Sequence, residues 1–206
     1  MLCCLALAGC AAGASGAVPA PTPAFAFHTT GTPPQPTTRL SAPPGRIGTP
    51  APSQRVRFVP QLVVLPGGTH ASVLTATTVD GLLQVPAKAQ NVGWWDGGAE
   101  AGDPYGSVVL AGHVDTKTEG LGYFARLRDV RPGEVVVLRG SGHTASYRVV
   151  SVAAVRKDAL ATTSGAFSQT VDHRLVLITC TGAYDASRGG YQDNLVVIAE
   201  PTGPAQ

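Results

Sequence analysis

The sequence predicts an all-β domain of about eight short strands, closed as a sandwich or a barrel, behind a proline-rich N-terminal stretch. Three observations carry this reading. From residue 55 onward, short runs of Val, Ile, Leu and Thr alternate with Gly, Pro and Asp-Gly turn signals at close spacing. No stretch shows sustained helical amphipathicity. The chain also holds 25 glycines and 17 prolines in 206 residues, a composition of turns and extended spacers. That length suits one domain plus a tail. The net charge of +2, with 14% charged residues, argues against a nucleic-acid binder, in which a strongly basic balance is expected. No acidic cluster demands a metal, and no cofactor is expected.

The segments follow in order. Residues 1–10, MLCCLALAGC, are apolar and end in Leu7-Ala8-Gly9-Cys10. That ending resembles the lipobox of bacterial lipoproteins, which are cut before the Cys and lipidated on it, here Cys10. The run is too short to span a bilayer, and it lacks the basic region of a secretory signal. We therefore expect a signal whose true start lies upstream. Residues 11–54 carry ten prolines, from Pro19 to Pro52, with Arg39 and Arg46 as their charges and no Asp, Glu or Lys. This is a semi-rigid extended tether. Anchor, tether and domain, in that order, predict a membrane-anchored extracytoplasmic protein. The folded domain is expected over 55–201, with 202–206 as a tail.

Within the domain, Arg55–Val59 alternates as a half-buried strand does. Leu62–Leu65 is a second strand, closed by Pro66-Gly67-Gly68. Ala71–Thr78 is Val- and Thr-rich and favours strand. Asp80-Gly81 turns the chain into a short strand over Leu82–Val85. Asn91–Trp95 reads as a brief helical turn, with Trp94-Trp95 as a local core plug, and residues 96–104 as loop. Ser107–Gly112 is a buried strand that stops at His113. Phe124–Leu127 is one helical turn, Arg131-Pro132-Gly133 a turn, and Glu134–Arg139 a strand. Ser141-Gly142 opens a hairpin into Thr144–Val155. Residues 157–172 form a long loop with a short helix. Leu175–Ile178 is a buried strand ending at Cys180. A second loop follows over Ala183–Asp193, and Leu195–Glu200 is the last strand.

The chemistry centres on Cys180. Cys3, Cys4 and Cys10 all lie in the first ten residues, so the domain holds one thiol. A lone free Cys is often a small buried hydrophobe. This one stands where a rigid strand gives way to the loop Thr181-Gly182-Ala183, a placement that fixes a reactive group and opens it to substrate. His113 stands in the same context, at the end of its own buried strand. Imidazole beside thiol is the arrangement of a Cys nucleophile and its proton carrier. Sixty-seven residues separate the two (180 − 113), so the fold has to bring them together. His28, His70, His143 and His173 lack this context and read as tether, turn or surface residues. Asp115 either orients His113 or caps the loop.

These residues carry a resemblance. Ala111-Gly-His113-Val-Asp115, Phe124-Ala-Arg-Leu127, Arg131-Pro-Gly133, Leu177-Ile-Thr-Cys180 and Tyr191-Gln-Asp-Asn194-Leu-Val-Val resemble, in order, the sortases, specifically those of class F. The resemblance runs from about Arg55 to Pro201. It implies an eight-stranded sortase-type β-barrel with one or two short helices, and a transpeptidase with Cys180 as nucleophile and His113 as proton donor and acceptor. Asp115, Thr179 and Thr181 would line the substrate site. The implied substrate is a protein bearing a C-terminal sorting signal such as Leu-Pro-x-Thr-Gly, cut between Thr and Gly. Its acyl group passes through a Cys180 thioester to an amine, typically on a peptidoglycan precursor. Two departures stand out. Val176 replaces a frequent Thr, and Asn194 stands where sortases place an arginine beside the substrate carbonyl, with Gln192 two residues earlier. Arg188, in the loop, or Asn194 then takes the oxyanion role, and we expect Arg188 because a cation also favours the thiolate.

Two rival readings are set against this. One is a noncatalytic exported β-domain that binds wall glycan or peptide, with Cys180 buried. The other is a different cysteine enzyme. L,D-transpeptidases carry Ser/Thr-His-Gly-Cys at the nucleophile, whereas Ile178-Thr179 precedes Cys180. Papain-like enzymes place the Cys at a helix N-terminus, and no helical pattern follows Cys180.

Overall fold

The computed structural model describes residues 55–162 and 164–206; the signal and tether assigned to residues 1–54 lie outside these. The elements are β1 (Leu62–Val64), β2 (His70–Ala76), β3 (Thr78–Val79), β4 (Leu82–Leu83), β5 (Val92–Trp95), β6 (Ser107–Gly112), β7 (Asp115–Thr116) and β8 (Gly120–Leu121). A 3-10 turn over Tyr123–Arg128 precedes β9 (Val135–Gly140), β10 (His143–Arg156) and the short helix α1 (Lys157–Leu160). The chain ends with β11 (Arg174–Asp185), a 3-10 turn over Ala186–Arg188, and β12 (Gly190–Pro201).

Eight of the strands close a barrel in the order β1-β2-β5-β6-β11-β12-β10-β9, with β9 pairing back to β1. The all-β, eight-stranded expectation is met, and closure leaves no exposed barrel edge. β3-β4 and β7-β8 are separate two-stranded hairpins. Two neighbour pairs are parallel, β2/β5 and β6/β11; the others are antiparallel. Asp80-Gly81 and Ser141-Gly142 take positive φ at both positions, the backbone hand that tight hairpins need.

Strand alternation sorts the apolar side chains into two layers. Val108, Leu110, Leu175, Leu177, Val197 and Ala199 point into the barrel with Leu138, Tyr147 and Phe124. Val109, Ala111, Val176, Ile178 and Val196 point outward and form a second cluster. Ala166, Phe167 and Leu160, from the segment after β10, cover that cluster. β6 is therefore buried along its whole length. Double-sided burial explains why its sequence is a continuous apolar run rather than an alternating one. Arg174 holds the covering segment down: its Nε donates to Ser107 Oγ at 3.0 Å and its Nη2 to the Gly165 carbonyl.

Several sequence expectations are corrected. Asn91–Trp95 is not a helical turn; Val92–Trp95 is β5, wedged between β2 and β6. A Cβ at Gly93 would run into Ala76 and Pro86, so only this close-packed extended backbone fits. Arg55–Val59 makes one bridge, Phe58 with Ala101, instead of a strand, and Pro60 cannot donate to continue it. Leu82–Val85 is paired only over Leu82–Leu83. The loop expected at Ala183–Asp193 is mostly strand, because β11 and β12 continue as a hairpin to the turn at Ala186–Arg188. Trp94 is a core plug, donating to the Ala99 carbonyl. Trp95 instead packs outside, edge-on to Phe167. Residues 202–206 are strapped down: Thr144 and Gln206 exchange both backbone bonds, at 2.7 and 2.9 Å. His173 is half-buried with Nε2 2.9 Å from the Tyr147 hydroxyl, not a surface residue, and burial pushes its pKa below the ordinary value.

Tyr123 ties the 3-10 turn to the β1–β2 connection. Its hydroxyl donates to the Thr69 carbonyl at 2.7 Å and accepts from the Leu65 N–H at 3.3 Å. Tyr123→Phe removes both partners from a buried position. We expect a loss of about 1–3 kcal/mol in unfolding free energy, read as a lower urea midpoint at unchanged m-value; an unchanged midpoint refutes this role.

Candidate active site

β6 and β11 run parallel with one constant offset. Arg174 pairs with Ser107 and Ile178 with Ala111, a difference of 67 (178 − 111). Thr179 extends the match: its hydroxyl donates 2.8 Å to the Gly112 carbonyl, buried beneath the strand ends. Cys180 and His113 have the same offset, so the register carried one step further sets them side by side on neighbouring strands, which lie about 4.8 Å apart. The sequence separation of the two residues is the register of the barrel.

Alternation also decides which way they face. Val176 and Ile178 point outward, and Cys180 shares their parity. Residues 113–115 continue the pattern of β6, with Val114 buried and His113 and Asp115 half-exposed on either side of it. Cys180 is a free, half-buried thiol. On its other flank β12 runs antiparallel, and Asn194 stands directly opposite Cys180. Asn194 shares the outward parity of Val196 and is itself paired across β12 with Val155 of β10. His113, Cys180 and Asn194 thus form a row across three strands on the outer face.

The loop beyond Cys180 is shaped by a bulge between Thr181 and Tyr184. Gly182 sits there at φ +81, and a Cβ would run into the Asp193 carboxylate. Both reasons require glycine. Behind His113, a Cβ at Gly122 would run into the His113 and Ala89 carbonyls, so the chain entering the 3-10 turn passes in contact with the histidine backbone.

The remaining candidates are placed as follows. Thr179 is buried, with its hydroxyl donating to the Gly112 carbonyl, where it positions the strand ends. Thr181 lies half-exposed just past Cys180, opposite Asp193. Asp115 accepts a 2.5 Å bond from the Tyr191 hydroxyl, which engages it in place of His113. Arg188 is exposed on the turn of the β11–β12 hairpin, whose cap is Asp185 accepting from Ser187 N and Oγ. Cys180 and Asp185 are five residues apart, roughly 15 Å along a strand. The structure brings Asn194 to Cys180 and leaves Arg188 at the tip. Gln192 donates its amide to the Gly190 carbonyl at 2.6 Å.

Two groups escaped the sequence reading. Burial raises the Cys180 thiol above its ordinary pKa, the Lys157 charge pulls it down, and the Asp115 charge pushes it up. Lys157 opens α1, immediately after β10 has paired Val155 with Asn194. Nothing in its local sequence marks it, because its neighbourhood depends on β12 lying between β10 and β11. Tyr191 carries the partner of Asp115, and only the hairpin register aligns it there.

A cavity of about 1090 Å³ lies elsewhere, lined by Asp103, Tyr147, His173, Arg174 and Glu200 among others. It opens at the start of β11, six residues and roughly 20 Å along the strand from Cys180.

A model of the sortase domain family matches residues 62–202. The chain belongs to the sortase family. Sortases are extracytoplasmic cysteine transpeptidases that act on sorting signals, and the noncatalytic binding-domain reading gives way to this membership. No curated protein matches the sequence significantly. Among solved structures, sortase A from Corynebacterium diphtheriae (a lid mutant) superposes with a TM-score of 0.53 at 21% identity, over 74% of this chain and 74% of that one. Sortase C-1 from Actinomyces oris gives 0.51 at 20%, over 69% and 73%. The SrtA sortase of the same organism gives 0.53 at 18%, over 72% and 82%. These likenesses concern the fold. The barrel of this sortase, with its two short helical turns and one short α-helix, is theirs.

The opposing charges around the thiol give a titration with a definite sign. Because folding raises the Cys180 pKa, alkylation of the native protein by iodoacetamide should rise with pH through a midpoint above that of an unfolded thiol. Lys157→Met removes a charge that favours thiolate and moves the midpoint up. Asp115→Asn removes one that opposes it and moves the midpoint down. Midpoints that stay put in both variants, or move the other way, contradict this electrostatic picture.

Proposed function

We propose that this sortase is of class F type and joins proteins bearing an LPxTG-like C-terminal signal to an amine at the cell wall, from a position tethered outside the membrane by its N-terminal segment. The sequence features His113-Val-Asp115, Leu177-Ile-Thr-Cys180 and Tyr191-Gln-Asp-Asn194 support the class. The lipobox-like ending at Cys10 and the proline-rich stretch of residues 11–54 support the tether.

The observation that carries the chemistry is the shared offset of β6 and β11, continued by the Thr179–Gly112 bond. In this reading His113 takes the thiol proton as Cys180 Sγ attacks the carbonyl carbon of the scissile Thr-Gly bond. A tetrahedral oxyanion forms. It collapses to the thioester as His113 returns the proton to the leaving Gly amine. An acceptor amine then attacks the thioester and regenerates the thiol. A Cys in place of Ser suits a site whose thiol is held partly protonated by burial, because the thiol remains a stronger nucleophile than a hydroxyl at the same pH.

The oxyanion needs donors. The backbone N–H of Thr181 is one. For the second, Asn194 is favoured over Arg188: it is opposite Cys180 on the same face, held by strands on both sides, and its amide makes no bond to another described residue. It is a neutral donor, so the positive charge comes from Lys157, which acts on the same thiol.

Cys180→Ala should fold as the native protein does and lose acyl transfer entirely. His113→Ala should lose several orders of magnitude. The assay is a library of sorting-signal peptides with an amine nucleophile, read by mass spectrometry. Transpeptidation that survives in Cys180→Ala overturns the reading. On the best peptide, Asn194→Ala should cost about 100- to 1,000-fold in turnover and Arg188→Ala only a few-fold. The reverse ranking returns the oxyanion role to Arg188.

A further inference from the structure

Asp115 presents a contradiction. Its negative charge stands beside the nucleophile and opposes the thiolate that attack on the sorting signal requires. Its carboxylate is nevertheless firmly placed. Asp115 opens β7, two residues past His113, with both half-exposed and Val114 buried between them, and Tyr191 donates to Oδ2 at 2.5 Å. The Arg128 charge lowers the Tyr191 hydroxyl pKa, against the Asp115 hydrogen bond that raises it.

The surroundings are apolar and open. Leu121, paired with Asp115 across the β7-β8 hairpin, is 67% exposed. Tyr184, 58% exposed, meets the Tyr191 ring edge-on with centroids 5.2 Å apart. A carboxylate bonded to one tyrosine, with a second tyrosine ring against the first and an exposed aliphatic side chain across the hairpin, has the chemistry that binds an ammonium on an alkyl stem. The charge pairs with the head, the ring faces favour it further, and the stem covers apolar surface.

We propose that Asp115, Tyr191, Tyr184 and Leu121 form the acceptor site, and that it takes a primary alkylammonium such as a lysine-type side chain. This rests on the thioester reading of Cys180 above. The site explains why an acidic group is kept where it hinders the first half-reaction: it serves the second. Asp115 holds the acceptor as R-NH3+ next to His113, and His113 accepts one proton to make the free amine. The nitrogen attacks the acyl carbon of the thioester. The C–N bond forms, the C–S bond breaks, and a second N–H proton passes to the sulfur. The products are the amide and the Cys180 thiol, and His113 releases the first proton to solvent.

The two half-reactions should respond in opposite directions. In Asp115→Asn, hydrolysis of a sorting-signal peptide without amine should rise, because the thiolate is easier to form. The KM for Nα-acetyl-lysine amide should rise about 10-fold or more, while that for glycinamide, which lacks the stem, changes less. Tyr184→Ala should raise the KM for the lysine amide by a smaller factor. A merely structural role for Asp115 predicts that hydrolysis and aminolysis fall together, and that result, or an unchanged KM for the lysine amide, overturns the proposal. Binding of Nα-acetyl-lysine amide to Cys180→Ala, followed by the NMR signals of the Tyr184 and Tyr191 rings, needs no thioester. If binding is seen there and vanishes in Cys180→Ala/Asp115→Asn, the acceptor site stands even where no sorting peptide reacts. If binding is absent in the first variant or persists in the second, the site is refuted.

Discussion

Everything at this site depends on one parallel ladder. β6 and β11 are separated in sequence by four other strands, two of them in the barrel, and lie next to each other in the barrel. Their pairing is specified by burial on both faces, since a slip of one residue would exchange Leu175 and Leu177 of the inner layer with Val176 and Ile178 of the outer one. Thr179 adds a side-chain bond to Gly112 at the last rung. The residues that follow, Cys180 and His113, need no attraction of their own to meet. The core sets their spacing, and they inherit it.

The same economy governs the flanks. β12 is paired with β11 on one side and β10 on the other, so Asn194 is held in register from both directions. α1 follows β10 directly and carries Lys157 to the thiol. The Cys180 thiol thus feels opposing charges from a lysine and an aspartate. Burial already disfavours the thiolate, so modest local charges decide how much of it forms. Without the Asp115 charge, the Lys157 charge would act on the thiol unopposed.

The strands were readable where the sequence alternates or runs apolar between turn residues. Ser107–Gly112 ends where it was expected to, and Asp80-Gly81 and Ser141-Gly142 make their turns. Misreadings arose where pairing overrode local character. Val92–Trp95, flanked by polar and small residues, extends because two neighbours hydrogen-bond to it. The Gly-rich stretch around Arg188 becomes a hairpin because Tyr184 and Tyr191 pair and their rings meet edge-on. His173 looks like a surface residue until Tyr147, from a distant strand, closes over it.

The sequence by itself determined that this is an all-β domain with a single thiol at a strand end and a histidine at another. Those are local properties: periodicity, turn chemistry and residue type. Which face the thiol presents, that the 67-residue separation is a register, that Asn194 rather than Arg188 stands across from Cys180, and that the Lys157 and Asp115 charges act on it, with Tyr191 bonded to Asp115, were decided only by tertiary structure. The reason is physical. The Cys180–His113 relation joins strands distant in sequence, and even the β11–β12 hairpin takes its register from pairing along its whole length, so proximity there is set by closure of the sheet and by which side chains fill it, and no local pattern encodes it.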